Sequence, residues 1–146
     1  DDCKKYDEIV FCGYGEPTLR LDTIKEVSKK IKEAGGKVRL NTNGHGNVIN
    51  KRNILPELKG LVDSISISLN ADTAEAYDRI VRPLPGLRNE IYDKVKEFIE
   101  EAKKYIPEVQ ATIVTHQEGV DEEKCEEISK NDFDVKYRPR RYNITG

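Results

Sequence analysis

Apolar positions recur along this chain with two periods, and glycine, proline or asparagine marks each change from one to the other. "DEIVFC" (7–12) is a short β-branched and aromatic run ending at Gly13, which predicts a buried strand. From Asp22 to Ala34, the residues Ile24, Val27, Ile31 and Ala34 fall at helical spacing. Thr23 and Glu26 have the spacing of a capping box there, and Gly35-Gly36 supplies the stop. "KVRLNT" (37–42) predicts a second strand, closed by Asn43-Gly44, and a less regular helix is expected over 50–60 with Ile54, Leu55 and Leu58 inward. "DSISISLN" (63–70) alternates strictly, with Ile65, Ile67 and Leu69 on one face and Ser64, Ser66 and Ser68 on the other. Asp72 and Glu75 suit the start of a short helix that Pro83 and Pro85 end. The clearest amphipathic stripe runs over 89–105, through Ile91, Val95, Phe98, Ile99 and Ala102. "VQATIVT" (109–115) predicts a fourth strand, 121–130 a charged helix anchored by Cys125 and Ile128, and "FDVKYR" (133–138) a fifth strand.

Strands separated by helices pair in parallel, because a parallel crossover needs a dozen or more residues. The expected fold is therefore α/β with one parallel sheet of five βα units. No repeat, linker or low-complexity tract divides it, so residues 1–146 read as a single domain. In such folds chemistry gathers at the carboxyl ends of the strands. Those ends are Cys12 to Pro17, Asn41 to His45, Ser68 to Asn70, Thr115 to Gln117 and Arg138 to Arg141. Four of the five are polar and the first is glycine-rich, whereas the opposite ends look like ordinary solvated starts.

Composition narrows the function classes. A chain of 146 residues is long enough to bury a core. Its 25 Lys and Arg nearly balance 27 Asp and Glu, which argues against a generally basic nucleic-acid binder. No run approaches the roughly 18 apolar residues of a membrane span, and the first residues are not those of a signal peptide. Cys3, Cys12 and Cys125 are too scattered for a disulfide framework, so a cytoplasmic setting is expected.

The stretch "CGYGEPTL" (12–19) carries the sharpest signal. Gly13 and Gly15 let the backbone turn at a strand end and leave room for a ligand. Exposed carbonyls and the Glu16 carboxylate are acceptors, suited to a cationic amine rather than a phosphate. The spacing is neither a Walker loop nor G-x-G-x-x-G, since Pro17 and Thr18 take the later positions.

The same stretch resembles the Gly-Gly-Glu-Pro motif of radical S-adenosylmethionine (SAM) enzymes, with Tyr14 between the glycines. "LNTNGHG" (40–46) and "SISLNADTAEAYDRIVRP" (66–83) are similar to later segments of that family, in the same order. Within it, the resemblance is nearest to the subgroup associated with TatD-type nucleases. It implies a partial (β/α)6 barrel in which Gly13, Gly15 and Glu16 hold the SAM ammonium. It also implies that Ser68 and Asn70 face the ribose or carboxylate, that Asn41 and Asn43 line the floor, and that Arg82 pairs with the carboxylate. The implied chemistry is electron transfer from a 4Fe–4S cluster to SAM, giving a 5′-deoxyadenosyl radical that abstracts hydrogen from a substrate. An electron donor is then an expected partner.

This chain departs from the pattern in its cysteines. The family's cluster hangs on C-x3-C-x2-C, and Cys3, Cys12 and Cys125 cannot form that loop. The chain also contains no Met, and five strands are expected where the family has six. These features lead to the expectation of an excerpt whose first strand and cluster loop precede Asp1, inactive by itself. A cluster-free module is the second reading, binding a partner or nucleic acid through Arg138, Arg140 and Arg141. An α/β hydrolase or isomerase ranks last, for want of a Ser-His-Asp or His-x-His grouping. Among single residues, His45 between glycines predicts a mobile surface loop, and His116 at a strand end is a candidate substrate contact. Cys12 and Cys125 read as small core residues.

Overall fold

A computed structural model describes residues 8–12, 16–82 and 90–141. Five strands form one parallel sheet in the order β1 (Ile9–Phe11), β2 (Val38–Thr42), β3 (Ser64–Ser68), β4 (Glu108–Val114) and β5 (Lys136–Arg140). Spatial order follows chain order throughout, as the register Val10 opposite Arg39, Leu40 opposite Ile65, Ile67 opposite Ala111 and Ala111 opposite Tyr137 shows. Without a reversal of strand order, right-handed crossovers all fall on one side of the sheet, which is the plan of a barrel wall rather than a doubly wound sheet.

The two faces of the sheet differ accordingly. One row set, Val38, Leu40, Ile65, Ile67, Ala111 and Ile113, is almost wholly buried against helices. The chief cover is α5 (Ile91–Tyr105), whose Ile91, Val95, Phe98, Ile99 and Ala102 form the stripe expected from the sequence. Burying one such side chain stabilises the fold by about 1.5–3 kcal/mol, so this stripe accounts for much of the core. The alternate row set is polar: Arg39, Asn41, Ser64, Ser66, Ser68, Gln110, Thr112, Arg138 and Arg140. Ser64, Ser66 and Thr112 are nonetheless buried, because longer polar neighbours lie over them.

Several local expectations are corrected. The first helix, α1 (Leu21–Glu33), is preceded by a 3-10 turn over Pro17–Arg20 whose N-cap is Glu16, so the Thr23–Glu26 capping box does not form. The phase of α1 places Ser28 rather than Val27 in the core, beside Leu21, Ile24 and Ile31. The helix expected over 50–60 is two short ones, α2 (Gly46–Asn50) and α3 (Leu55–Leu58). Lys51 breaks them at φ +56°, and the Asn47 side chain accepts the Ile54 N–H at 2.8 Å across the gap. The inward residues Ile54, Leu55 and Leu58 are as expected.

Helix α4 (Ala74–Val81) is capped by Thr73, whose hydroxyl accepts the Ala76 N–H at 3.1 Å. Asp72 instead accepts the Asp121 N–H at 3.0 Å, tying the start of α4 to that of α6 (Glu122–Glu127). Beyond α6 a π-turn runs over Ile128–Asp132 and Asp134 bends back at φ +54°, which delays the last strand from the expected 133 to Lys136. Pro139 within β5 is tolerated because that strand pairs on one side only. None of the described helices is long and apolar enough to cross a membrane.

Candidate functional site

Glu16 organises the mouth of the sheet. Its Oε1 accepts the Asn43 N–H at 2.7 Å, while Oε2 accepts the Thr18 N–H at 3.2 Å and the hydroxyls of Thr18 and Thr42, the latter at 2.5 Å. One carboxylate thus closes the 3-10 turn and clamps it to the carboxyl end of β2. Asn43 continues the work: its Oδ1 accepts the His45 N–H at 2.9 Å, and Gly44 donates to the Thr42 hydroxyl at 3.1 Å. Gly44 is required here, since φ is +83° and a Cβ would lie 3.1 Å from both Ile67 and Val95. Pro17 opens the turn at a position where a missing N–H costs nothing.

His45 departs from expectation. It is half-buried, and its Nε2 lies 2.7 Å from the hydroxyl of Tyr77, a fully buried residue. Tyr77 stacks obliquely on Tyr92, 5.3 Å between ring centres, and Tyr92 donates to the Ala71 carbonyl at 2.8 Å. The glycines flanking His45 let the chain turn it inward rather than leaving it mobile. Burial pushes the imidazole below its ordinary pKa, and the nearby Glu16 carboxylate offsets part of that shift. Burial also raises the Tyr77 and Tyr92 hydroxyls, which stay protonated.

At the next strand end, Thr42 pairs with Ile67, so Asn43 and Ser68 follow side by side. Ser68 pairs in turn with Thr112, whose carbonyl accepts the N–H groups of Leu69 and Asn70 at 2.9 and 3.2 Å. Asn70 sits at φ +65°, a conformation that asparagine tolerates better than most residues. The hydroxyl of Ser68 and the side-chain amide of Asn70 make no hydrogen bond among the described residues. Among the described residues, Glu16 Oε1 receives a single donor and keeps acceptor capacity. Glu16 bonds Asn43, and register sets Asn43 beside Ser68, so with Asn70 these residues make a polar crown at the strand ends.

The other singled-out residues lie elsewhere. Asn41 is on the polar face of the sheet, below the crown, with Oδ1 buried and unpartnered among the described residues. Arg82 is the exposed left-handed C-cap of α4, in a surface cleft with Arg79 and the 117–119 loop. His116 is exposed and its backbone N–H donates to Glu122 at 2.9 Å. Cys12 is exposed, contrary to the core reading, while Cys125 is fully buried. Gly13, Tyr14 and Gly15 lie outside the described residues.

Sequence reasoning missed the polar face as a unit. Arg39 bonds Glu8 at 3.1 Å and the Ser66 hydroxyl at 3.1 Å, and Gln110 reaches the same hydroxyl at 2.6 Å. Glu8 also accepts from Ser64 at 3.2 Å. The available signal was the i, i+2 recurrence of polar residues in four successive strands.

Comparison with known proteins bears on what this geometry serves. The family model described as the radical SAM superfamily matches residues 1–130. A Methanocaldococcus jannaschii protein named "Putative glycyl-radical enzyme activating enzyme" is 33% identical over 125 residues, covering 85% of this chain and 49% of that protein. An uncharacterised protein of the same organism is 34% identical over 101 residues, covering 68% of this chain and 32% of its own length. The chain thus spans about half the length, or less, of these curated relatives. In fold, it resembles the crystal structure of a domain of pyruvate-formate lyase-activating enzyme from Bacteroides vulgatus, with TM-score 0.54 and 14% identity over 90% of this chain and 97% of that one.

Proposed function

Because the chain belongs to the radical SAM superfamily, we propose that the crown of Glu16, Asn43, Ser68 and Asn70 is its SAM platform, within an enzyme that abstracts hydrogen from its substrate. The observation that carries this reading is Glu16, held by four donors from this chain and still able to accept a fifth.

The residues fit SAM in chemistry. An ammonium needs acceptors, and Glu16 Oε1 is one. A ribose or carboxylate needs small polar partners, supplied by the Ser68 hydroxyl and the Asn70 amide. The resemblance adds Gly13, Tyr14, Gly15 and Pro17 to the set. Arg82 lines a cleft with Arg79 and the 117–119 loop, and its role toward the SAM carboxylate rests on the resemblance alone.

The described residues do not fit an iron–sulfur cluster. They contain no grouping of three His, Cys, Asp or Glu side chains suited to a metal, and Cys12 and Cys125 differ in exposure and place. In the family, SAM with a reducing cluster supplies the radical chemistry. This chain's part is to orient SAM, hold its charged end and keep the helix side of the strand ends dry through Tyr77, Tyr92 and Phe98. The name carried by the M. jannaschii relative supports a glycine in a partner enzyme as the atom donor.

Calorimetry with SAM tests the platform. The native chain is expected to bind, and Ser68→Ala with Asn70→Ala to weaken binding at least about tenfold, the loss of roughly one charge-assisted hydrogen bond. Equal affinity in the folded double variant would remove the crown from the account.

A further inference from the structure

The polar face of the sheet lines an open cavity of about 300 Å³, and none of Glu16, Asn43, Ser68 and Asn70 is in its lining. Three guanidiniums, Arg39, Arg138 and Arg140, meet one carboxylate, Glu8, around it. Arg39 is committed to Glu8 and Ser66. Arg138 and Arg140 are exposed at the cavity rim and make no ion pair or hydrogen bond among the described residues. They are two residues apart on β5, so both project onto the same face, about 7 Å apart along the strand. Two unpaired guanidiniums facing one polar cavity are a receptor for an anion, because a planar fork binds a carboxylate through two parallel N–H donors.

The cavity has a second demand. Asn41 Oδ1 is buried without a partner among the described residues, and a buried unpaired acceptor costs about 1–3 kcal/mol. Asn41 registers with Ser66, Ser66 with Gln110, and Thr112 with Arg138, so the orphan acceptor and the arginines share one continuous face. A ligand that suits both ends carries an anion for the arginines and an N–H donor for Asn41. Glu8 beside Arg39 lowers the positive field and favours a monoanion over a dianion.

We propose that this cavity binds a carboxylate set beside an amide N–H, as in an acylated amino acid or an acidic residue of a peptide. Arg138 and Arg140 hold the carboxylate, and Asn41 accepts the N–H. Only the identification of this ligand with the enzyme's substrate rests on the SAM reading above. A nucleic acid is the competing occupant. It is disfavoured because Arg138 and Arg140 are grouped around a cavity that also holds Glu8, rather than spread along a stripe.

The test is a nitrogen-15 NMR titration of the chain with N-acetylglycinate, N-acetylglycinamide as the neutral control, inorganic phosphate and a short oligonucleotide. The expected result is that N-acetylglycinate alone shifts the side-chain signals of Asn41, Gln110, Arg138 and Arg140. Arg138→Gln with Arg140→Gln should weaken that response at least about tenfold while SAM affinity, read by calorimetry, stays within about twofold. Asn41→Asp should weaken it by repulsion. No response to N-acetylglycinate, or an equal one to phosphate or the oligonucleotide, overturns the assignment. A parallel loss of SAM affinity in the arginine variant also overturns it, because the anion would then be that of SAM. Failure of the SAM platform shows separately, as absent SAM binding with the N-acetylglycinate response intact.

Discussion

The Asn43 N–H donates to Glu16 Oε1 across 2.7 Å, joining the turn after the first strand to the end of the second. The bond makes Glu16 an architectural residue as well as a candidate ligand group. Glu16→Ala leaves the N–H groups of Thr18 and Asn43 and two threonine hydroxyls without their acceptor. A loss of about 2–4 kcal/mol in urea unfolding is expected, with Glu16→Gln roughly half as costly. Its cost should show in stability even where SAM is absent.

The His45–Tyr77 pair gives a pH dependence with a definite sign. In the folded chain the His45 pKa lies below 6.5, so the unfolded state binds more protons near that pH. The contribution is fully present above the unfolded pKa and is lost as pH falls through the folded one. Stability measured by urea should decline as pH falls below 6.5, and His45→Gln should flatten that limb.

Gly44→Ala should be among the most damaging small substitutions. The added Cβ meets Ile67 and Val95 at 3.1 Å on a backbone at φ +83°. About 2–3 kcal/mol is expected, combining strain and overpacking. Gly35→Ala shares the left-handed φ, +84°, but meets nothing within 4 Å, so it should cost only about 1 kcal/mol.

Cysteine reactivity distinguishes exposure from burial. Burial pushes the Cys125 thiol up to about 12, and the side chain is inaccessible. Iodoacetamide on the native chain should label Cys12 and spare Cys125 until urea unfolds the protein, as peptide mass mapping would read.

The element order and the parallel sheet were legible because hydrophobic period and turn residues agree over most of the chain. The stripe through Ile91, Val95 and Phe98 and the Ser-Ile alternation at 64–67 are the plainest cases. Errors arose where a side chain bonds outside its own segment. Asp72 serves Asp121 rather than its own helix, Asn47 reaches Ile54, and Glu16 caps a turn that the period of α1 does not announce. His45 was misread because nothing local shows that Tyr77, on a later helix, receives it. The strand ends that carry the crown were readable. The cavity was not, since Glu8, Arg39, Asn41 and Arg138 meet only through register.

The central claim is that SAM sits on the carboxyl ends of the first three strands. Backbone-amide NMR of the chain titrated with SAM reads that position directly. The account predicts shifts concentrated at Asn43, Gly44, Ser68 and Asn70, with little change at Arg82 or in the helix-side cleft of Asn47 and Lys94. Shifts centred on either of those clefts, or none at saturating SAM, would contradict it.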